Sequence, residues 1–234
     1  MRIEPLPPPS PSLESEVHRR LRDLIVAGEL APGGLYSMNE LAAQLGVSRT
    51  PVAQAVARLV DEGMVRVEHR RGLRVLETSG HDLVEIYQIR LLLEPQATSR
   101  ATTLMRRADH RRLERALRDL RDVVEGPANL REFLRRDAHF HHVILEAAGN
   151  RRLAEYVDTL RDLQMIRDLS TVDRTRPAAA VVADHERIYE RIRAGDADGA
   201  QRAMHTHLAT TYELLVTQET GGTAPAFLSW PPGE

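Results

Sequence analysis

The chain has 234 residues, a net charge of −2, and 42% hydrophobic against 4% aromatic residues, a composition that can bury a core and favours packed helices over sheets. It has no cysteine, which excludes disulfides, thiolate metal sites and cysteine nucleophiles. All 32 basic residues are arginine; genomic compositional bias explains this, and Schiff-base and lysine general-base chemistry are excluded with it.

No apolar run approaches a membrane span, and the opening "MRIEPLPPPSPS" lacks the apolar region of a signal peptide. A cytoplasmic protein without a membrane partner is expected. Because the net charge is slightly negative, any nucleic-acid contact must come from a local patch. Residues 1–9 are Pro-rich and read as a mobile tail. "LESEVHRRLRDLIVA", Leu13 to Ala27, repeats Val17, Leu21, Leu24 and Ile25 at helical spacing, and "GELAPGG" ends that helix. "SMNELAAQLG" has Ser37 followed three residues on by Glu40, the pattern of a capping box before a short helix. "VSRTPVAQAVARLVDEG" follows a tight turn, with Ser48 or Thr50 as cap and Pro51 in the first turn. "MVRVEHRRGLRVL" alternates around "RRG", as a small hairpin does.

Helix, helix, turn, helix, hairpin is the order of a winged helix-turn-helix, here residues 10–78. In that arrangement the start of the second helix of the motif meets base edges in the major groove. Arg49 suits a two-pronged bond to guanine, and Ser48 and Thr50 suit phosphate oxygens. Between Arg66 and Arg74 lie four arginines and His69 against one carboxylate, Glu68. A hairpin tip carrying Arg70, Arg71 and Gly72 is therefore expected at the minor groove or backbone, with Gly72 permitting close approach. Residues 1–78 hold ten arginines and ten carboxylates, so the arrangement of elements carries this reading, not bulk charge.

"TSG" at 78–80 reads as a hinge. From His81 to about Gln218 everything has helical period, broken at "EGPAN", "AGN", "RTRPA" and "AGD". An all-α bundle of six or seven helices is expected over 79–220, with 221–234 a loose tail. The fold class is thus mainly α: a winged head with a small β-hairpin, then a helical bundle.

Within "DAHFHHVILEAAGN" one carboxylate and three histidines crowd together. With Phe140 at 0° on a helical wheel, Ile144 falls at about 40°, Asp137 at about 60°, His141 at about 100° and Leu145 at about 140°. His139, His142 and Glu146 fall between about 200° and 260°, facing solvent. The same test turns His185 inward beside Val181, Ile188 and Ile192, and His207 inward beside Ala203 and Leu214; His205 points the other way. Asp137, His141, His185 and His207 then share an apolar interior, a donor set for a divalent transition metal. Any one inward histidine is by itself more simply a satisfied core residue. Arg90 shares a face with Leu83, Ile86, Tyr87 and Ala97; it can meet an effector carboxylate or pair with Glu94 one turn on. Asn150 in "AGN" reads as a helix end.

Two resemblances add to this. "GELAPG", "ELAAQLGVSRTPV" and "ARLVDEGMV" before a Gly-containing wing resemble the DNA-binding head of GntR-type regulators. "EIYQIRLLLEP", the Asp-x-x-Phe-His pattern with "AAGN" after it, the His185 helix and "GDADGAQRAMHTHL" resemble the FCD effector domain of one large branch of that family. The resemblance implies a homodimer on a pseudo-palindromic double-stranded DNA operator. It also implies a metal, most often zinc, on Asp137 and the three histidines, a small organic acid as effector, and repression relieved by ligand. This sequence departs at "VAQ", where the family usually has "VRE": Ala53 stands in place of a usual DNA-contacting arginine. Asn39 stands where a longer charged residue is common. The operator sequence therefore does not carry over. The alternative is a metal-dependent enzyme acting on a small carboxylic acid, with Glu94 as general base.

Overall fold

A computed structural model describes residues 12–77, 80–126, 129–166 and 170–220. The expected tails at 1–9 and 221–234, and most of the expected hinge at 78–80, lie outside the described residues. The chain separates into two compact units, Met1–Thr78 and Ser79–Glu234.

The first unit contains α1 (Leu13–Val26), β1 (Leu35–Tyr36), α2 (Met38–Leu45), α3 (Arg49–Asp61), β2 (Val65–Glu68) and β3 (Gly72–Val75). Its core is the apolar stripe of α1 (Val17, Leu21, Ile25) against Val52, Ala55, Val56 and Leu59 of α3, closed by Met64, Leu73 and Val75. Ser12 caps α1 through its side chain, which accepts from the Ser15 amide at 3.1 Å. Ser37 and Ser48 hold the N-cap positions of α2 and α3, but neither side chain makes a capping hydrogen bond. The capping box expected from Ser37 and Glu40 therefore does not form; the Ser37 side chain lines a groove beside the wing instead.

The wing has three strands, in the order β1-β3-β2, all antiparallel. Sequence periodicity misses β1 because two residues cannot display alternation. Glu68 pairs with Gly72, leaving a three-residue tip, His69 to Arg71, with Arg70 in left-handed conformation at φ 60°. Gly72 permits a close approach, as expected, but to this unit's own backbone. At its φ of 124°, a Cβ would stand 2.1 Å from the Tyr36 carbonyl oxygen of β1.

Among the described residues the second unit has six helices: α4 (Gly80–Leu104), α5 (Arg107–Glu125), α6 (Leu130–Ala147), α7 (Arg151–Ile166), α8 (Ala178–Arg193) and α9 (Ala197–Thr220). The long α4 packs along α9; α5 lies on α6 and α8, and α7 on α6 and α4. Phe140, Ile144, Leu113, Leu117, Ile188, Met204 and Leu208 form the centre of the main core. One break was not expected. Between α4 and α5, Arg106 turns extended and the Asp109 carboxylate accepts from its amide at 3.0 Å, starting a new helix. Asn150 does not end α6 but begins α7, accepting from the Leu153 amide at 3.2 Å.

Gly72→Ala should destabilise the first unit by at least about 1–3 kcal/mol, from backbone strain plus the clash with Tyr36. Calorimetry on the full chain checks this: the transition of the first unit should move down while that of the second stays in place. An unchanged melt would show that β1 can yield.

Candidate metal centre and nucleic-acid interface

The helical-wheel argument places four residues together, and the structure brings them together. Asp137 and His141 sit one turn apart on α6, His185 on α8 and His207 on α9. One ligand atom from each lies within 4.8 Å of the others, a spread that small side-chain rotations reduce to the span of one ion with bonds of about 2.0–2.2 Å. His141 and His185 are fully buried and His207 is 4% exposed. The ring centroids stand 5.3 Å (His141–His185), 5.3 Å (His141–His207) and 4.6 Å (His185–His207) apart.

Each imidazole is held by one nitrogen and presents the other. His141 Nδ1 meets Glu94 Oε2 at 2.5 Å, His185 Nδ1 meets the Val181 carbonyl at 2.7 Å, and His207 Nδ1 meets Asp184 Oδ2 at 3.4 Å. All three Nε2 atoms are therefore left for the centre. Those of His141 and His185 are buried with no hydrogen-bond partner, although His185 Nε2 is 2.9 Å from Asp137 Oδ1. Buried ring nitrogens without partners are rare and costly. A cation that accepts their lone pairs removes the cost, so the donor set fits a divalent metal.

The carboxylates behind these rings are held by arginines. Arg161 on α7 donates to Asp137 Oδ2, leaving Oδ1 toward His185. Arg90 Nε donates to Glu94 Oε1 at 2.6 Å, and its Nη1 donates to Gln164 at 3.0 Å. Arg90 also lies 4.7 Å from the Tyr87 ring centroid. The pair with Glu94 that the spacing of Arg90 allowed is therefore formed. Arg176 reaches Asp184 at 2.6 Å. Burial alone would raise the Asp137 carboxyl, but Arg161 and then His185 hold it well below the usual range. Glu94 is lowered likewise against burial by Arg90 and His141. Burial, then the Arg161 charge, pushes His141 down to about 3, and burial with neighbouring His185 pushes His207 down to about 4. Both rings are neutral at pH 7, the state that ligates metal.

Sequence reasoning missed Arg161, Gln164 and Asp184. All three are buried, but each sits on a helix whose polar residues gave no reason to single it out. His142 also departs from expectation. It is half-buried, with Nδ1 2.7 Å from Asp158 and Nε2 3.4 Å from Glu146, and these carboxylates raise its pKa. His139 is exposed, as the wheel implied.

In the first unit a groove of about 490 Å³ brings Asn39, Arg49, Arg70, Arg71 and Gly72 together with Ser37 and Glu68. Ser48 and Thr50 are exposed beside Arg49 but do not line it. Glu68 draws the wing arginines together: it binds Arg74 Nε, Arg71 Nη1 at 3.0 Å and Arg66 Nη2 at 3.5 Å.

A winged helix with an exposed basic groove, followed in the chain by a helical bundle with a buried His/Asp cluster, is the architecture of a DNA-binding regulator. Residues 13–75 match the gntR family of bacterial regulatory proteins, and residues 85–210 match the FCD domain. The chain belongs to the GntR family of transcriptional regulators, with an FCD domain as its second part. It is 31% identical over 203 residues to a helix-turn-helix transcriptional regulator encoded in an unstable DNA locus of Streptomyces ambofaciens, covering 85% of this chain and 83% of that one. It is 26% identical over 216 residues to the transcriptional repressor RspR of Escherichia coli K12, covering 92% and 94%. Among solved structures, E. coli McbR/YncC shares the fold with a TM-score of 0.76 at 24% identity, over 88% of this chain and 98% of that one. Among the described residues, no helix is long and apolar enough to cross a membrane.

Stability of the metal-stripped protein should depend on pH in a stated direction. His141 and His207 have folded-state values of about 3 and about 4 against an ordinary 6.5, so the unfolded chain takes up protons first as pH falls. Their contribution is complete above about 6.5 and is lost toward pH 4 and then 3, at up to about 1.4 kcal/mol per pH unit per ring. His142, raised by Asp158, opposes this in part. Melting temperatures of the stripped protein should fall steadily from pH 7 to 5, and His207→Ala should flatten the slope. A stripped protein indifferent to pH over that window would mean the rings are not buried neutral.

Proposed function

We propose that the chain is a cytoplasmic repressor that grips a pseudo-palindromic operator as a homodimer. In this reading, a small carboxylate bound beside a divalent transition metal modulates its affinity for DNA. The observation that carries it is the convergence of one ligand atom from each of three imidazoles and one carboxylate, each side chain already held by a further partner. Three imidazoles and one carboxylate suit zinc or a similar divalent ion, and at five or six coordination such an ion keeps positions for water or ligand. Repression is supported by two relatives named as repressors, RspR and a probable repressor of D-xylose utilization in Paenarthrobacter nicotinovorans, 29% identical over 213 residues. Relief by ligand requires the effector to bind the DNA-competent and incompetent states with different affinity. A carboxylate reaching Arg90 would exchange with the neutral Gln164 oxygen, an anion replacing an amide on a buried guanidinium.

Metal-dependent catalysis is the weaker reading. Glu94, the expected general base, is fixed between Arg90 and His141, and Asp184 between Arg176 and His207. Neither is free to take a proton from a substrate.

On the DNA side, Arg49 reads a base edge, Ser48 and Thr50 meet phosphates, and Arg70 and Arg71 on the Gly72 wing, with Asn39, follow the backbone. Ala53 and Gln54 are exposed on the same helix, so Arg49 is the arginine that must carry specific readout near its start. Arg49→Ala should cost about 1–3 kcal/mol on the specific site and flatten sequence preference. Arg71→Ala should weaken binding to all sequences and reduce the salt slope by about 0.9. Operator footprinting and salt titrations measure both, and an undiminished footprint for the Arg49 variant would refute this docking.

The purified protein should carry close to one divalent transition metal per chain. His207→Ala should lower both the metal content and the melting temperature, whereas His205→Ala, two residues earlier on α9 and outside the cluster, should lower neither. Elemental analysis of both variants decides this; equal metal in the two would sink the assignment.

A further inference from the structure

The charges around the four clustered ligands cancel before any ion is counted. Asp137 is paired with Arg161, Glu94 with Arg90, and Asp184 with Arg176; the exposed Arg187 touches Asp184 from the solvent side. Every carboxylate near the histidines is thus already neutralised by a guanidinium. A divalent cation entering this set brings two positive charges that no side chain offsets. Unpaired charge in a buried site is costly, so the balance must come from a bound anion.

One side chain also has donors to spare. Arg161 is 5% exposed and gives Nη2 to Asp137, while its Nε and Nη1 are buried with no hydrogen-bond partner. Arg90 differs, because its Nε and Nη1 are taken by Glu94 and Gln164. Arg161 is one bond removed from the cluster through Asp137, whose other oxygen faces His185. A monocarboxylate on the metal would leave one positive charge unbalanced and the Arg161 donors unsatisfied.

We propose that the effector is a dianion, a short-chain dicarboxylate with one carboxylate meeting the metal and the second taking the unused Nε and Nη1 donors of Arg161. This rests on the reading of the cluster as a metal and effector site. It narrows the ligand class from small carboxylates to those with two negative charges, and it gives Arg161 a contact with the effector besides its hold on Asp137.

The test is titration calorimetry on the metal-loaded full chain. Malonate, succinate and glutarate are each compared with the monocarboxylate of equal length (propionate, butyrate, valerate), and inorganic phosphate is run as a single-centre dianion. At least one dicarboxylate should bind about ten- to a hundredfold tighter than its monocarboxylate partner, the size of charge-assisted hydrogen bonds to a buried guanidinium. Arg161→Gln, with metal content measured on the same sample, should bring that ratio below about threefold while monocarboxylate affinity persists. If the variant loses its metal, the wild-type series still decides. Equal affinity for both classes, or phosphate binding tighter than every dicarboxylate, overturns the inference and leaves the effector reading standing. If no acid binds the metal-loaded protein, the effector reading itself falls, and this inference with it.

Discussion

Imidazoles can stand ready in an apolar interior only if each ring is fixed by its second nitrogen, and this requirement organises the helical bundle. Two of the acceptors that fix them, Glu94 and Asp184, are carboxylates, and a buried carboxylate is itself expensive without a cation. Arg90 on α4 and Arg176 before α8 supply those cations, and Arg161 on α7 does the same for Asp137. The cluster is therefore the innermost layer of a larger charged assembly. Its members come from five of the six described helices and from the segment before α8, and Phe140 packs on His185 at 4.8 Å between ring centroids. Shifting any of these helices would uncouple an imidazole from its acceptor or a carboxylate from its arginine.

The same logic explains what the sequence disclosed and what it hid. Helical period put Asp137, His141, His185 and His207 on apolar faces, and polar residues on apolar faces are conspicuous. The outer layer is not conspicuous, because Asp184 adjoins His185 in "ADHER" and Arg161 sits among the mixed charges of "TLRDLQ". A single wheel cannot say which edge of a polar arc a neighbouring helix will cover; that depends on how α7 and α8 lie against α6 and α9. Arg90 shows the converse. Its inward direction and its pair with Glu94 one turn on were legible, whereas its second partner, Gln164 on α7, emerges only from how the helices pack. The winged head was legible as an order of elements, while β1 is too short to carry a period. The break at Arg106 was missed because its signal is a single aspartate, Asp109, in the first turn of α5.

The wing works under a different dielectric. Arg66, Arg71 and Arg74 all approach Glu68, but Arg66 and Arg71 are well exposed, so water and salt screen these contacts and each contributes little to stability. Their consequence is arrangement. Glu68 gathers guanidiniums on one side of a groove whose other side presents Asn39 and Arg49. An exposed pair that contributes little is also one that a phosphate can replace at little cost, which suits a surface meant to exchange partners.

That all of these cations are arginine has a physical consequence beyond composition. Unlike the compact point charge of a lysine ammonium, a guanidinium is a planar, delocalised fork that pairs bidentately with carboxylates. Its several fixed N–H groups also let one side chain hold a carboxylate and still offer donors elsewhere, as Arg161 does with Nη2 on Asp137 and Nε and Nη1 unused. A lysine has one nitrogen for both tasks. A centre that holds its own carboxylate and, as proposed, receives a second anion is served by the guanidinium fork in a way an ammonium cannot match, and Arg161→Lys is not a conservative change there.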